Sequence, residues 1–147
     1  MGQREKIIGL ILELLGLAGA CGSIGLELYY MTVAGAGIFD TVLTCFFVAC
    51  IYLLFTVMQH YPKLWNILIP ATEKNEHYAV YMALGLKVLL MCMTLYTAVC
   101  DVGNIYSNAA VFWLVMAAGI LILCIMKYKM WKINEKDKKD QKKNDRG

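Results

Sequence analysis

Charged residues are scarce in this chain, which limits the kinds of fold it can adopt. Asp, Glu, Lys and Arg make up 17% of the 147 residues, and 60% are hydrophobic, whereas soluble domains carry about 25% charged residues. A water-soluble protein of this length could not bury so much apolar surface. The uncharged stretches form four long apolar runs: Ile7–Leu26, Ile38–Met58, Val80–Val99 and Ala109–Met126. Because about 20 helical residues cross a bilayer, the sequence predicts an all-α membrane protein with four transmembrane helices.

The chain also lacks the residue patterns that catalysis and metal binding require. It has no Ser-His-Asp set, no HExxH motif and no Walker phosphate-binding loop. Its six cysteines form no CxxC pair, and neither histidine is near enough in sequence to suggest a zinc site. The cysteines lie within or at the ends of the apolar runs, which is typical of small packing residues. We therefore predict no catalytic residue, no metal site and no cofactor, and we do not expect an enzyme.

Lys and Arg are absent from two of the gaps between the apolar runs, Glu27–Gly37 and Cys100–Asn108. Thirteen of the fourteen basic residues lie before the first run, between the second and third, or after the fourth. Short cytoplasmic segments of membrane proteins carry such an excess of basic residues. The pattern predicts a multi-pass protein of the plasma (inner) membrane with both termini in the cytoplasm and a cytoplasmic loop between the second and third helices.

The first apolar run is rich in small residues, spaced four apart in pairs such as Gly16 with Ala20 and Gly19 with Ser23. Such pairs let helix backbones approach closely within lipid. We expect the first helix to pack centrally in the bundle, and a homodimer or another membrane-protein partner at this helix is the alternative. The fourth run is apolar almost all round, so we expect it to be the most exposed to lipid.

The segment between the second and third runs, HYPKLWNILIPATEKNEHY, holds the only two prolines of the chain. Proline interrupts helices, and the apolar residues between Pro62 and Pro70 are unusual for a cytosolic loop. We expect this inner loop to lie against the membrane or under the bundle, with Trp65 as its anchor. Thr72 is the predicted N-cap of the third helix.

A set of residues in and after this loop carries a family resemblance. The set is Tyr61, Pro62, Trp65, Asn66, Pro70, Thr72, Asn75 and Tyr78. The pattern resembles that of small bacterial membrane proteins related to the immunity protein for the sporulation-delaying toxin, which contain a membrane domain of unknown function. The resemblance implies a multi-pass plasma-membrane protein with a role in toxin immunity, sensing or envelope maintenance, and it implies no catalytic residue. The first outer loop departs from the family, because Leu28–Asp40 contains no His, Pro or Asn.

Two ionisable residues, Glu13 and Lys87, lie deep within apolar runs. Each costs about 2.5 to 3.5 kcal/mol at a helix centre on insertion scales. Both lie at matched depth, roughly 9 and 10.5 Å from the inner boundary, so we expect an intramembrane ion pair between the first and third helices. The alternatives are separate snorkelling of each side chain to the interface, or a small proton-coupled transporter or exporter that uses Glu13.

The last segment, from residue 129 onward, carries eight of the fourteen basic residues of the chain. We divide the chain into a transmembrane domain, residues 1–128, and a basic cytoplasmic tail, residues 129–147. The tail has too few apolar residues to fold alone and is predicted to be disordered beyond Trp131. We expect it to anchor the topology and to attract anionic lipids. A docking site for a cytosolic partner is the alternative, and nucleic-acid binding is not expected.

Overall fold

The computed structural model describes residues 2–66 and 69–144. It contains four long helices: α1 (Gln3–Ala34), α2 (Ile38–His60), α3 (Glu76–Val102) and α4 (Ala109–Asn144). A short 3-10 turn, Pro62–Trp65, follows α2, and the described residues contain no β-strand. All four helices are long and apolar enough to cross a membrane, which confirms the predicted number of such helices and indicates a multi-pass membrane protein.

Helices α1 and α3 run in the same direction along their whole contact. Near their first turns, the Tyr81 hydroxyl donates to the carbonyl oxygen of Glu5 at 3.1 Å. Further along, the hydroxyls of Ser23 and Thr94 are 3.0 Å apart. Helix α2 packs against both of them, and α4 packs against α3.

The central helix of the bundle is α3, which contacts each of the other three helices, whereas α4 has no close contact with α1 or α2 in the described residues. The expectation that the first helix is central is therefore wrong. Its small residues serve the contact with α3 instead: a Cβ atom on Gly19 would lie 3.0 Å from the Cβ of Met91. The large side chains of α4 that point away from α3, such as Trp113 and Leu114, are exposed, as expected for a helix that faces lipid.

The reversal between α1 and α2 is shorter than the sequence predicts. The basic-free gap was expected to form a loop from Glu27 onward, but α1 continues to Ala34 and only residues 35–37 connect the helices. Nothing before Gly35 stops a helix, and Gly35 itself adopts a left-handed conformation with φ of 69°, which glycine tolerates without strain. Glu27 thus lies in α1 and is buried.

The predicted disorder of the tail is wrong for the residues that the structure describes. Helix α4 passes through the predicted boundary at residues 128 and 129 without a break and ends at Asn144. Met130 is fully buried in a cluster with Ala79 and Met82 of α3, and Lys139 pairs with Glu135 one turn away at 2.9 Å. Helix α4 continues into the tail because Met130 is buried at the start of the tail and because the charged residues that follow favour a helix. Residues 145–147 lie outside the described part.

Candidate functional site

The structure brings Glu13 and Lys87 together at the interface of three helices. Helix α1 supplies Glu13, α3 supplies Lys87, and α2 supplies Tyr52, Thr56 and Gln59. These five residues form what we call the polar cluster. It lies within the apolar parts of all three helices, where hydrogen-bond partners other than these side chains are few.

The Lys87 ammonium group uses all three of its hydrogen-bond donors. It donates to both carboxylate oxygens of Glu13, at 2.6 Å and 2.7 Å, and to Oε1 of Gln59 at 2.9 Å. Thr56 Oγ1 lies further away at 3.4 Å. Nζ also lies 4.8 Å from the centre of the Tyr52 ring, a distance typical of a cation–π contact.

The Glu13 carboxylate is held from a second direction by α2. The Tyr52 hydroxyl donates to Oε1 of Glu13 at 3.1 Å. Glu13 therefore contacts both other helices, and its position is fixed by three hydrogen bonds. The cluster joins α1, α2 and α3 through polar contacts where lipid supplies no hydrophobic force between helices.

A glycine makes room for the long side chain of Lys87. A Cβ atom on Gly16 would lie 3.7 Å from Cε and 3.9 Å from Cγ of Lys87. The aliphatic part of the lysine therefore lies against the α1 backbone, one turn beyond Glu13. The small residues of α1 thus position the charged group as well as bring the helices together.

The two charges differ in exposure. The Lys87 side chain is fully buried, whereas the Glu13 side chain is 32% exposed. A buried ammonium is stable only when it is paired and hydrogen-bonded. Lys87 meets both conditions here, so the arrangement is a closed charge pair with neutral hydrogen-bonding support.

The α2 members of the cluster were missed in the sequence. Tyr52, Thr56 and Gln59 are spaced four and three residues apart, so they share one face of α2. This shared face is the one signal of them in the sequence, and it is weak, because Gln59 lies just beyond the end of the apolar run at Met58. Glu27 was missed for a different reason, because its charge ends the first apolar run at Leu26 although the helix continues.

The inner loop is packed against the ends of α3 and α4, with Trp65 at its centre. The Trp65 side chain is only 9% exposed and belongs to the same buried apolar cluster as Ala79, Met82 and Met130. Lys127 Nζ donates hydrogen bonds to the carbonyl oxygens of Trp65 and, at 3.4 Å, of Ile69. Ile67 and Leu68, which were predicted to be tucked in beside Trp65, lie outside the described residues.

Asn75 connects the loop to α4 and is itself fully buried. Its Oδ1 accepts a hydrogen bond from the backbone N–H of Thr72 at 2.7 Å. Its Nδ2 donates to Oδ1 of Asn134 at 2.8 Å and to the Pro70 carbonyl at 3.2 Å. The Asn134 amide donates in turn to the same carbonyl at 3.2 Å. We call the contacts among these four residues the loop–tail junction.

The predicted N-cap of α3 is wrong. The helix begins at Glu76, and the Thr72 hydroxyl donates to Asn134 at 3.4 Å instead of capping the helix. A turn at residues 72–75 precedes the helix because Asn75 satisfies the N–H of Thr72. Lys74 of this turn pairs with Asp137 of α4 at 2.7 Å, and that hydrogen bond and charge raise the pKa of Lys74.

The other residues that carry the family resemblance lie around this junction. Asn66 Oδ1 accepts a hydrogen bond from the N–H of Ala71 at 2.6 Å and so bridges the segment between the prolines. Pro62 begins the 3-10 turn, and the Tyr61 side chain is exposed. The Tyr78 ring lies beneath the ammonium group of Lys129, 5.5 Å from its centre.

Comparison of the chain with protein-family models, curated proteins and solved structures gave no match. The polar cluster and the loop–tail junction are accordingly interpreted from their own geometry. All six cysteines are free thiols.

Proposed function

We propose that this chain is a non-enzymatic, multi-pass protein of the plasma membrane that acts by binding, in toxin immunity, sensing or envelope maintenance. The observation that carries the proposal is the closed polar cluster. The one carboxylate in the middle of α1 is held by a lysine and a tyrosine, and the lysine has no free donor. Such a cluster stabilises a bundle and leaves binding surfaces elsewhere to carry the function.

The orientation is part of the same proposal. Both chain ends and the inner loop carry the Lys and Arg residues that lie outside the spans, and the two other connections carry none. We infer that the basic side is cytoplasmic. The resemblance of the loop residues to the toxin-immunity-related family supports a bacterial plasma membrane.

Cysteine labelling tests the orientation. Single cysteines are placed at Lys74, Lys136, Ala34 or Asn104 in a variant that lacks the six native cysteines, and intact cells are treated with an impermeant thiol reagent. We expect the first two positions to be protected and the last two to be labelled. Labelling at Lys74 in intact cells would contradict the orientation, and labelling of permeabilised cells is the control for reactivity.

The second candidate function is a small proton-coupled transporter or exporter that uses Glu13. The incomplete burial of the Glu13 side chain, which is 32% exposed in the bundle, favours it, because a coupling carboxylate must be reached by protons. Lys87 argues against it, because this lysine donates hydrogen bonds to both carboxylate oxygens of Glu13 and so competes with a proton for them. An exporter needs a carboxylate that gains and loses a proton in each cycle.

A protection assay separates these functions. Sensitive cells with and without the chain are exposed to sporulation-delaying toxin, and survival and membrane potential are followed with a potential-sensitive dye. Efflux of a cationic dye is measured in the same cells. Protection without efflux supports the immunity form of the proposal, and efflux that disappears in Glu13→Gln supports the transporter. If the chain gives neither protection nor efflux, the proposal is restricted to sensing or envelope maintenance.

A further inference from the structure

The helical continuation of α4 has a face whose side chains are exposed, and the ion pair that Lys139 of this face forms with Glu135 lies within α4 itself. Its members are Tyr128, Trp131, Lys132, Lys136 and Lys139, and we call it the outer face of α4. These side chains and Glu135 border a shallow groove of about 400 Å³. All five members are exposed, and the two aromatic rings lie 6.0 Å apart.

Acidic and basic residues alternate in the sequence of this part of α4, but the helix places them on different sides. Asp137 points to the inner loop, where it pairs with Lys74, and Asp140 lies near the same lysine. On the outer face, Lys132, Lys136 and Lys139 are spaced four and three residues apart, which places them on one side of a helix. The one carboxylate among them, Glu135, is paired with Lys139. With three lysines and one carboxylate, the outer face carries a net positive charge beyond its two aromatic residues.

The length of α4 places the far end of this face beyond reach of a lipid leaflet. The apolar run ends at Met126, and Lys136 and Lys139 follow it by ten and thirteen residues in an unbroken helix. At about 1.5 Å per residue these lysines lie about 15 and 20 Å further along the helix axis, and the headgroup layer takes up about 5 to 7 Å of each distance. Attraction to anionic lipids fades over a Debye length of about 8 to 10 Å, so Lys136 lies at the limit of this attraction and Lys139 beyond it. A soluble partner is the better match for this far end of the face.

We propose that the outer face of α4 docks an acidic helical segment of a cytosolic protein. Three lysines at helical spacing extend over about 10 Å, which matches carboxylates on one face of a partner helix. Tyr128 and Trp131 lie at the membrane end of the face and offer an apolar anchor next to the charges. The cytosolic location rests on the proposed orientation, but the docking chemistry does not.

Fluorescence anisotropy tests the proposal with the full chain in phosphatidylcholine nanodiscs at low salt. The probe is a labelled 18-residue helical peptide with Glu at positions i, i+4 and i+7 and a Leu one turn away. A scrambled peptide of the same composition is the control. We expect the patterned peptide to bind more tightly than the scrambled one. Equal binding of the two peptides would overturn the proposal, because charge alone would then explain it.

Two variants of equal charge locate the binding. Lys136→Gln should weaken binding of the patterned peptide about threefold, as expected for the loss of one exposed charge contact. Lys138→Gln removes the same charge two residues further along α4, on the side of the helix that borders Pro70 and Thr72 of the inner loop, and should change binding by less than about 1.5-fold. Circular dichroism checks that both variants remain helical. Equal losses in the two variants would overturn the docking face.

The alternative partners give distinct results. Duplex RNA that binds more tightly than the patterned peptide at the same salt would replace the proposal with nucleic-acid binding. Protection of a spin label at Lys136 when phosphatidylglycerol is added to the nanodiscs would replace it with a membrane contact. Because nanodiscs expose both sides, these measurements are independent of orientation. External labelling of Lys136 in cells would contradict the proposed orientation without changing the docking result.

Discussion

Removal of one charge from the pair of Glu13 and Lys87 should destabilise the bundle, and removal of both should not. In Glu13→Gln the Lys87 ammonium stays fully buried, with neutral oxygens of Gln59 and Thr56 as its remaining partners. An unpaired buried charge of this kind costs about 3 to 5 kcal/mol. We expect the free energy of unfolding to fall by an amount in this range.

Lys87→Met should cost less than Glu13→Gln. Glu13 keeps its hydrogen bond from Tyr52, and a carboxylate without a charge partner can become neutral by taking up a proton. We expect a loss of about 2 kcal/mol, since the hydrogen bonds from Lys87 are lost but no unpaired charge has to remain. The double variant has no charge left to satisfy and should lie within about 1 kcal/mol of the parent. The sum of the single effects should then exceed the double effect by about 3 kcal/mol or more.

Equilibrium unfolding in mixed micelles, followed by circular dichroism, measures all four proteins of this cycle. Tyr52→Phe is the matched control, because it removes the hydroxyl bond to Glu13 but neither charge, and it should cost about 1 kcal/mol. Single effects that add to the double effect would refute the pair as a stabilising unit. Separate snorkelling of the two side chains would then explain their positions better.

Three further substitutions test the packing. Gly19→Ala should destabilise the bundle by about 1 to 3 kcal/mol in the same unfolding assay, because its Cβ would meet Met91. The control Gly9→Ala has open space and should be neutral or stabilising. Equal effects of the two substitutions would contradict the close approach of α1 and α3. Trp65→Ser should make the inner loop sensitive to protease, whereas Leu64→Ser at an exposed position should not, and an unchanged digestion rate in both would show that the loop is not held by Trp65. Asn75→Ala should release the loop–tail junction and lower the free energy of unfolding by about 1 to 3 kcal/mol, and no loss would show that the junction does not contribute to stability.

The apolar runs predicted the four helices because lipid imposes a length on each crossing. Helix ends were harder to predict. The first apolar run was ended at Leu26 because a glutamate follows, and the fourth at Met126 because a lysine follows. Neither residue type stops a helix, so α1 continues to Ala34 and α4 to Asn144. Hydropathy reports where a chain enters water, whereas a helix ends at a breaker or where packing ceases.

The candidate site was predictable in part. Glu13 and Lys87 stand out because each is a charge in an apolar run, and their matched depth brought them together in the prediction. Gln59 does not stand out, because it lies beside the end of its run, and Thr56 and Tyr52 are common within membrane helices. The role of Asn134 could not be predicted from the sequence either. Its contact with Asn75 joins parts of the chain 59 residues apart and depends on a helical tail.

We propose that Glu13 acts as the structural partner of Lys87 and that the protein functions by binding. Toxin protection is the decisive measurement, made in cells that express the double variant Glu13→Gln with Lys87→Met and related to the amount of folded protein in the membrane. We expect protection equal to that of the parent, because the bundle is retained and no proton transfer is required. Loss of protection with an unchanged amount of folded protein would contradict it and would indicate that the Glu13 carboxylate itself carries the function.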